Sequence, residues 1–275
     1  MNARYVDVHC HVQFEQYAKD DAELIARMRE AGVVGIVVGV DYESSARAVV
    51  LAEKHDHLFA SIGLHPNRES NEWYEPEKYR ALAKSPKVVA IGECGLDYFR
   101  PEQLTEETKR KQKNILNDQI ELAAELDKPL IIHARPTKGM QDAYHDLIEI
   151  LKEAKAGHPR FRGLPAQAGD VHFFVGGTQE AQALIALGFT LSFTAVITFA
   201  RDYDVVIRAL PLASILAETD APYVAPASRR GKRNDPLAVI EVVDKIAEIR
   251  GEDRMVVQKA LFLNAKNLFA LPTLS

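Results

Sequence analysis

The chain is poor in cysteine, since only Cys10 and Cys94 among its 275 residues are of this type. A disulfide framework of the kind that stabilises small secreted proteins is therefore excluded. Long apolar runs are also missing, because none approaches the roughly 18 residues that a membrane-spanning helix needs. No signal-peptide pattern opens the chain, which begins Met-Asn-Ala-Arg and leads directly into a strand pattern. These absences predict a reduced, soluble, cytoplasmic protein without membrane contact.

An excess of basic residues is missing as well. The chain has 34 Lys and Arg against 39 Asp and Glu, which gives a formal net charge of -5. Proteins that bind nucleic acid through a broad electrostatic surface are usually basic. Any polyanion must therefore be held locally, by a few cationic side chains. The hydrophobic content of 47% and the charged content of 27% are those of an ordinary globular protein.

Short apolar segments alternate with longer amphipathic segments along the whole chain. Strict alternation predicts a parallel sheet with helices outside, and eight units predict an α/β fold of the (β/α)₈ TIM-barrel type. We expect one domain over residues 1–275, with an open doubly wound sheet as the competing fold. The predicted strands are Tyr5–Cys10, Val33–Val38, Leu58–Gly63, Lys87–Gly92, Pro129–His133, Asp170–Phe174, Phe189–Phe193 and Ser214–Glu218. The predicted helices are Asp21–Ala31, Glu43–Lys54, Glu77–Lys84, Thr105–Leu126, Asp142–Ala154, Gln179–Leu187, Tyr203–Leu210, Pro236–Arg250 and Arg254–Phe269.

Residue types that bind metals stand at or near the ends of most predicted strands, where barrel enzymes place their active sites. His9 and His11 can share one metal, because side chains two residues apart on a strand point the same way. Alternation turns Cys10 and Cys94 to the opposite side, so we expect buried, inert thiols. For the His-x-His pair alone, a polar strand end without a metal is the alternative. The candidate metal ligands are His9, His11, Glu93, His133, His172 and Asp220.

Three of the residues on this face are also candidates for catalysis. Glu93 follows small and apolar strand residues, and a buried carboxylate needs a metal, a salt bridge or a helix N-terminus to offset its burial. With a metal, its two oxygens can bridge two ions. Asp220 can hold a metal and accept a proton from a water molecule. His65, after the third strand, is a candidate for contacting phosphate or for donating a proton to the leaving group.

A short basic run, from Arg229 to Arg233, follows the eighth strand on the same face as Asp220. A guanidinium presents a planar fork that fits phosphate oxygens, which favours phosphate binding. A solvated loop is the alternative interpretation of any such charge run. Arg135 directly follows the fifth predicted strand, next to the same face. The candidate substrate-binding residues are Arg135, Arg230 and Arg233.

Short polar motifs follow one another along nearly the whole chain, namely Val-Asp-Val-His-Cys-His, Gly-Leu-His-Pro, Ile-Gly-Glu-Cys-Gly-Leu-Asp-Tyr, Ile-Ile-His-Ala-Arg, Val-His-Phe-Phe-Val-Gly-Gly, Glu-Thr-Asp-Ala-Pro-Tyr and Arg-Gly-Lys-Arg-Asn-Asp-Pro. Taken in this order, the motifs resemble those of the TatD family of metal-dependent hydrolases and deoxyribonucleases, within the amidohydrolase-like superfamily.

The resemblance implies a barrel with two divalent metal ions. By motif, His9 and His11 match the ligands of one metal, with Asp220 beside them. Glu93 matches the carboxylate that bridges both metals. The remaining histidines, His133 and His172, match the ligands of the second metal. Imidazole ligands favour Zn²⁺ or Mn²⁺ and the family's reported dependence favours Mg²⁺, so all three remain candidates.

The resemblance also implies a substrate. Members of the family are described as deoxyribonucleases, some of which trim single strands from the 3′ end, and some are associated with D-aminoacyl-tRNA deacylation. We therefore expect DNA, in single-stranded form, as the partner molecule, and no obligate protein partner. An amide, ester or lactone hydrolase with the same two metals is the alternative. A non-catalytic nucleic-acid-binding protein is disfavoured, since it would not need a complete ligand set.

Two departures from the family pattern affect substrate contacts. Where the family usually has Cys-Phe-Ser-Gly after the sixth-strand histidine, this chain has Phe173-Phe174-Val175-Gly176. The segment Ala156–Gly169 is rich in Gly and Pro, is longer than usual and is predicted to be a loop. Both departures leave the proposed ligand set intact.

Overall fold

The computed structural model describes residues 3–67, 74–100, 104–157 and 168–273. The strands are β1 (Tyr5–Cys10), β2 (Val33–Val38), β3 (Leu58–Ile62), β4 (Val88–Asp97), β5 (Leu130–Arg135), β6 (Gly169–His172), β7 (Phe189–Phe193) and β8 (Ile215–Ala217). The helices are α1 (Asp21–Ala31), α2 (Tyr42–Lys54), α3 (Pro76–Leu82), α4 (Glu106–Glu125), α5 (Asp142–Gly157), α6 (Thr178–Ala186), α7 (Asp204–Ala209), α8 (Val239–Arg250) and α9 (Arg254–Leu268).

The strands in the described part of the chain form one parallel sheet of eight, paired in chain order from β1 to β8. Backbone hydrogen bonds join its two edges, because the Asp220 N–H donates to the His9 carbonyl at 2.9 Å and the His11 N–H donates to the Ala221 carbonyl at 2.8 Å. Helices alternate with the strands and pack against them. The fold is the predicted (β/α)₈ barrel, and the open doubly wound sheet is excluded.

The strands of the barrel are almost entirely buried, as expected for a parallel sheet covered by helices. Side chains that alternate along the strands enter two different apolar clusters. The smaller cluster joins strand residues such as Val8 and Ile36 to Leu268 and Phe269 at the end of α9. The larger cluster packs the other side of the strands against the helices. Burial on both sides leaves the carboxyl ends of the strands as the polar, accessible edge.

Strand β4 is longer than the sequence predicted. The prediction ended it at Gly92, but the strand continues to Asp97. Its register against β5 shifts by one residue after Ile91, which makes a bulge around Glu93. A Cβ at Gly92 would lie 2.2 Å from the Ile131 carbonyl oxygen, so this close approach needs glycine. The expectation that Glu93 ends its strand was therefore wrong, because the bulge turns it to the site from within the strand.

The other boundaries match the predictions or differ from them by at most three residues. Thr105 precedes α4 as its N-cap, one residue before the helix begins, and its hydroxyl oxygen accepts the Thr108 N–H at 3.1 Å. The predicted helix from Pro236 begins as a short 3₁₀ turn, Pro236–Ala238, before α8. Strand β8 covers only Ile215–Ala217, so Glu218 lies just beyond the sheet.

The predicted loop Ala156–Gly169 lies mostly outside the described residues, since α5 extends to Gly157 and β6 begins at Gly169. Across the described ranges, every helix is too short or too polar to pass through a lipid bilayer.

Candidate metal centre

The carboxylate of Glu93 lies between two groups of histidines at the carboxyl ends of the strands. Its Oε1 is 2.8 Å from His172 Nε2 and 3.0 Å from His133 Nδ1. Its Oε2 faces the other way, 3.4 Å from His9 Nε2. Glu93 is only 4% exposed, so these contacts are shielded from solvent. One carboxylate thus contacts both groups, each through a different oxygen.

The first group consists of His9, His11 and Asp220, which come from opposite ends of the chain. His9 Nε2 lies 3.2 Å from His11 Nε2, as the two-residue spacing predicted. Asp220 Oδ1 is 3.4 Å from His11 Nε2 and 3.8 Å from His9 Nε2. The backbone bonds between β1 and the segment after β8 bring these residues together.

The second group consists of His133 on β5 and His172 at the end of β6. His133 Nδ1 lies 3.3 Å from His172 Nε2, and both nitrogens approach Glu93 Oε1. The two residues are direct partners in the β5–β6 register, which explains their side-by-side placement. His172 also stacks on His9, with ring centroids 3.8 Å apart, so the two groups form one continuous cluster.

For His11, His133 and His172, the outer ring nitrogen has an acceptor that fixes where the proton resides, whereas His9 Nδ1 is buried without a hydrogen-bond partner within the described ranges. His11 Nδ1 donates to the Val38 carbonyl at 2.7 Å. His133 Nε2 donates to Asp97 Oδ2 at 3.2 Å, and His172 Nδ1 donates to Glu218 Oε2 at 3.3 Å. In the neutral forms of these three rings, each inner nitrogen consequently carries a lone pair, which is directed at Glu93, at Asp220 or at another ring. A carboxylate among inward-facing lone pairs needs a positive charge between them, so the donor set fits divalent cations.

The charges of the cluster lead to the same conclusion. Burial alone would lower the pKa of His172, but Glu93 and Glu218 raise it well above its ordinary value. Burial alone would raise the pKa of Glu93, but His172 and the neighbouring histidines hold it well below its ordinary value. The site therefore attracts positive charge and keeps its carboxylate ionised. The His, Asp and Glu groups are positioned to bind metal.

His65 differs from the other histidines of the site. Its Nδ1 accepts the Asn67 N–H at 3.1 Å, so in the neutral ring the proton is on Nε2. That Nε2 lies 3.4 Å from Glu93 Oε1 and points into the site. Burial is the main cause that lowers the pKa of His65, which keeps the ring neutral. His65 thus offers an N–H donor where the others offer lone pairs.

His65, Asp97 and His133 also lie close enough together to form a further possible cation group. The protons argue against it, because His133 Nε2 donates to Asp97 and His65 Nε2 carries its own hydrogen. Asp97 Oδ1 is occupied by the N–H groups of Phe99 and Arg100, each at 3.0 Å. We therefore interpret Asp97 as the acceptor that orients His133.

Sequence reasoning missed Asp97 and Glu218, the two buried carboxylates behind the second group. Asp97 lies past the predicted end of β4, and Glu218 contacts His172 across 46 residues. Glu218 Oε1 also accepts the Ser192 hydroxyl at 2.9 Å, which fixes the carboxylate. The signals that could have identified them are their places within Gly-Leu-Asp-Tyr and Glu-Thr-Asp-Ala-Pro.

We expect Asp97→Asn to weaken binding of the ion at the second group by about 10- to 100-fold. Asparagine keeps the acceptor for Phe99 and Arg100 but turns an amide, or a neutral oxygen, toward His133. The His133 ring then loses the charged acceptor that holds its proton on Nε2. Metal titration by calorimetry measures the effect. Asp146→Asn is the matched control, because Asp146 accepts the Tyr98 hydroxyl at 2.8 Å without touching a proposed ligand. Equal metal affinities in the two variants would refute the role of Asp97.

The three candidate arginines lie in different surroundings. The Arg135 guanidinium lies over the ring of Phe99 and that of Arg230 over the ring of Phe199. Arg233 instead forms an ion pair with Asp20, donates to the Gln16 carbonyl and stacks on Tyr17. Because Asp20 and Gln16 occupy part of the Arg233 donors, we rely on Arg135 and Arg230 for the proposed substrate contacts, and substrate binding by Arg233 stays a prediction.

Both cysteines are buried thiols directed away from the site, in the positions that strand alternation predicted. Cys10 Sγ donates to the Ile36 carbonyl at 3.4 Å, and Cys94 Sγ donates to the Ile131 carbonyl at 3.6 Å. Burial raises the pKa of both, which disfavours thiolates.

The departure after His172 places one aromatic residue in the core. Phe174 is 1% exposed and packs against Tyr144 and Phe193. The Phe173 N–H donates to Glu218 Oε1, so the segment also helps to hold the carboxylate behind His172. The segment after His172 thus contributes both to the core and to the support of the second group.

Comparisons with known proteins show the family to which the chain belongs. The family described as TatD related DNase matches residues 6–270. YabD of Bacillus subtilis (strain 168), described as an uncharacterized metal-dependent hydrolase, is 35% identical over 96% of this chain and 98% of its own. The 3'-5' ssDNA/RNA exonuclease TatD of Pectobacterium parmentieri (strain WPP163) is 32% identical over 96% of this chain and 99% of its own. The crystal structure of YJJV, a TATD homolog from Escherichia coli k12, superposes with a TM-score of 0.86 at 32% identity, covering 99% of this chain and 100% of the other.

Proposed function

The chain belongs to the TatD family of metal-dependent hydrolases, and from that premise we propose that it cleaves phosphodiester bonds in single-stranded DNA. The observation that carries the proposal is Glu93, whose two oxygens separately contact the two histidine groups. Such an arrangement suits two divalent ions that share one carboxylate. Relatives named as ssDNA/RNA exonucleases support the choice of substrate.

In the proposed site, His9, His11 and Asp220 would hold one ion, and His133 and His172 would hold the second, with Glu93 placed between the two groups. Divalent ions in such sites polarise a phosphoryl oxygen and lower the pKa of a water molecule, and Mg²⁺, Mn²⁺ and Zn²⁺ are all candidates. The protein fixes the lone-pair directions of His11, His133 and His172 through the outer hydrogen bonds of these rings. This preorganisation removes the cost of arranging the ligands during the reaction.

Asp220 is the proposed proton acceptor. Its side chain is 14% exposed, against 5% for Glu93, so it is the carboxylate nearer to the opening of the site. Burial alone would raise its pKa, but the hydrogen bond to His11 and the neighbouring histidines lower it, so Asp220 is ionised near neutral pH. An ionised carboxylate at the opening can take a proton from the attacking water.

His65 and Arg135 are proposed to hold the phosphate. The His65 Nε2–H points into the site and, in a neutral ring, donates a hydrogen bond without transferring its proton. We therefore favour a contact to a phosphate oxygen over proton donation to the leaving group. Arg135 follows His133 by two residues on β5 and supplies a cation at the same edge.

We expect chelation of divalent metals to abolish hydrolysis, and addition of Mn²⁺, Mg²⁺ or Zn²⁺ to restore it. The measurement is a panel of single-stranded DNA, duplex DNA, RNA and small esters, each with one defined metal. Cleavage of single-stranded DNA above the others supports the proposal, whereas turnover of esters alone would favour a carbonyl substrate. Full activity in protein that elemental analysis shows to be metal-free would contradict the whole scheme.

A further inference from the structure

Two phenylalanines are exposed on loops that follow strands at the face of the proposed site. Phe99 is 46% exposed and comes two residues after the end of β4. Phe199 is 38% exposed and follows the short 3₁₀ turn Ala195–Thr198 beyond β7. A single exposed aromatic residue is ordinary on a protein surface. These two are distinguished by the arginine that each one carries.

Each ring is covered on one side by a guanidinium from the next strand or loop along the barrel, since Arg135 ends β5 and Arg230 lies on the loop after β8. The Arg135 guanidinium carbon lies 4.2 Å from the centre of the Phe99 ring, and that of Arg230 lies 4.0 Å from the centre of the Phe199 ring. Both distances are within the range of cation–π contacts. Among the described residues, no carboxylate forms an ion pair with either arginine. Their N–H donors are thus available to an external anion.

Hydrogen bonds between loops hold both pairs in place. The Tyr98 N–H donates to the Arg135 carbonyl at 2.8 Å, which joins the ends of β4 and β5 next to the first pair. The Ala227 N–H donates to the Thr198 hydroxyl oxygen at 2.8 Å, which joins the loops after β7 and β8 next to the second pair. A flat surface already fixed in the free protein loses little entropy when a ligand stacks on it.

The two pairs lie on different sides of the proposed metal centre. Phe99 follows β4 and Arg135 ends β5, and these two strands carry Glu93 and His133. Phe199 and Arg230 follow β7 and β8, on the side of Asp220. In chain order around the barrel, β6 separates the pairs on one side and β1, β2 and β3 separate them on the other. A single strand that crosses the proposed metal centre from the β4–β5 side to the β7–β8 side would therefore pass both phenylalanine–arginine pairs.

We propose that the Phe99–Arg135 and Phe199–Arg230 pairs are stacking platforms for the bases of a single-stranded nucleic acid. The inference rests on the proposed function and adds the residues that select the form of the substrate. In a single strand each base exposes its flat faces, whereas in a duplex the faces are covered by neighbouring bases. A ring with a guanidinium beside it binds both parts of a nucleotide, because the base stacks and the phosphate accepts hydrogen bonds from arginine.

The test measures binding of two labelled oligomers of equal length to the Mg²⁺-loaded protein by fluorescence anisotropy. One is a phosphorothioate-linked oligothymidylate, and the other has the same linkages but abasic sugars in place of the nucleosides. We expect the wild-type protein to prefer the oligomer with bases. Phe99→Leu and Phe199→Leu should each weaken binding of that oligomer by about 5- to 150-fold and leave binding of the abasic oligomer unchanged.

Two further variants separate stacking from charge and from general damage. Arg230→Ala should weaken binding of both oligomers and reduce the slope of log affinity against log salt by about one. Phe262→Leu is the matched control, because Phe262 lies on α9 and packs against the smaller apolar cluster. It should leave both affinities unchanged.

The outcomes distinguish the two proposals. If the preference for bases persists in both phenylalanine variants while the wild type cleaves oligonucleotides, the platforms are refuted and the proposed function stands. If the wild-type protein neither binds nor cleaves any oligonucleotide, the proposed function fails and the platforms fail with it. The inference is supported if the Phe99→Leu and Phe199→Leu variants lose the preference for the oligomer with bases and the Phe262→Leu control keeps it.

Discussion

Asp220→Asn is expected to keep most of its metal while turnover falls by about 10²–10⁴-fold, the usual scale for a general acid–base group. Asparagine nearly preserves the size and shape of the side chain and keeps one oxygen near His11. It cannot accept a proton at neutral pH, so the attacking water loses its base. Substrate affinity should survive, since Arg135, Arg230 and the other proposed ligands remain.

Metal content and single-turnover rates, measured on the same preparations, decide this prediction. Asp202→Asn is a suitable control, because Asp202 is exposed on the loop between β7 and α7. The control should match the wild-type protein in both measurements. Near-native turnover of Asp220→Asn with its metal bound would show that another group takes the proton.

Glu93→Gln is expected to lose metal together with activity. The glutamate supplies one anionic oxygen to His172 and His133 and the other to His9, at 2.8, 3.0 and 3.4 Å. Glutamine replaces one of these oxygens with an N–H₂ group that repels a cation, so one group loses its shared ligand. We expect the metal affinity of the protein to fall by more than about 100-fold, the upper range for losing a partner of a ligand.

The two carboxylate variants are best compared side by side. Titration with Mn²⁺ should require far more metal to load Glu93→Gln than to load Asp220→Asn. High concentrations of metal should partly restore activity in Glu93→Gln, because its base is intact, and should leave Asp220→Asn inactive. If Glu93→Gln binds metal as tightly as the wild-type protein, the proposal that this carboxylate joins the two groups is wrong.

The local placement of the first histidine pair could be predicted from the sequence. His9 and His11 are two residues apart on a strand, and that spacing alone directs both imidazoles to one side and Cys10 to the other. His133 and His172 required one further step, namely that parallel strands end at the same edge. Because the alternation of apolar and amphipathic segments predicts the barrel, the sequence alone assigns these residues to one face.

The environment of Glu93 could not be predicted in the same way. A glycine in a strand pattern is compatible with a strand end or with a bulge, and only the contact with the Ile131 backbone makes Gly92 part of a bulge within β4. With the strand ended too early, Asp97 fell outside the predicted site. The accepting role of Glu218 depends in turn on a contact with His172 that no local pattern encodes.

For the arginines as well, the sequence predicted the charge of the loop, and the tertiary structure decided which side chains have free donors. The sequence predicted a cationic loop after β8 from its composition, but Arg230 and Arg233 are equivalent in such a pattern. In the folded chain Arg233 meets Asp20 at the start of α1, whereas Arg230 meets an exposed ring and no carboxylate of the described residues. Whether the N–H donors of each arginine are free or occupied therefore depends on contacts with residues distant in sequence.

By itself, the sequence determined the barrel, the six candidate ligands and the direction of the first histidine pair, because periodicity and strand polarity act within each element. Only the tertiary structure decided which nitrogen of each histidine faces the centre, that His65 offers a proton where the others offer lone pairs, and which arginines remain available. Hydrogen-bond partners from other elements set these properties. The site therefore depends on contacts between strands and loops as much as on the identity of its ligands.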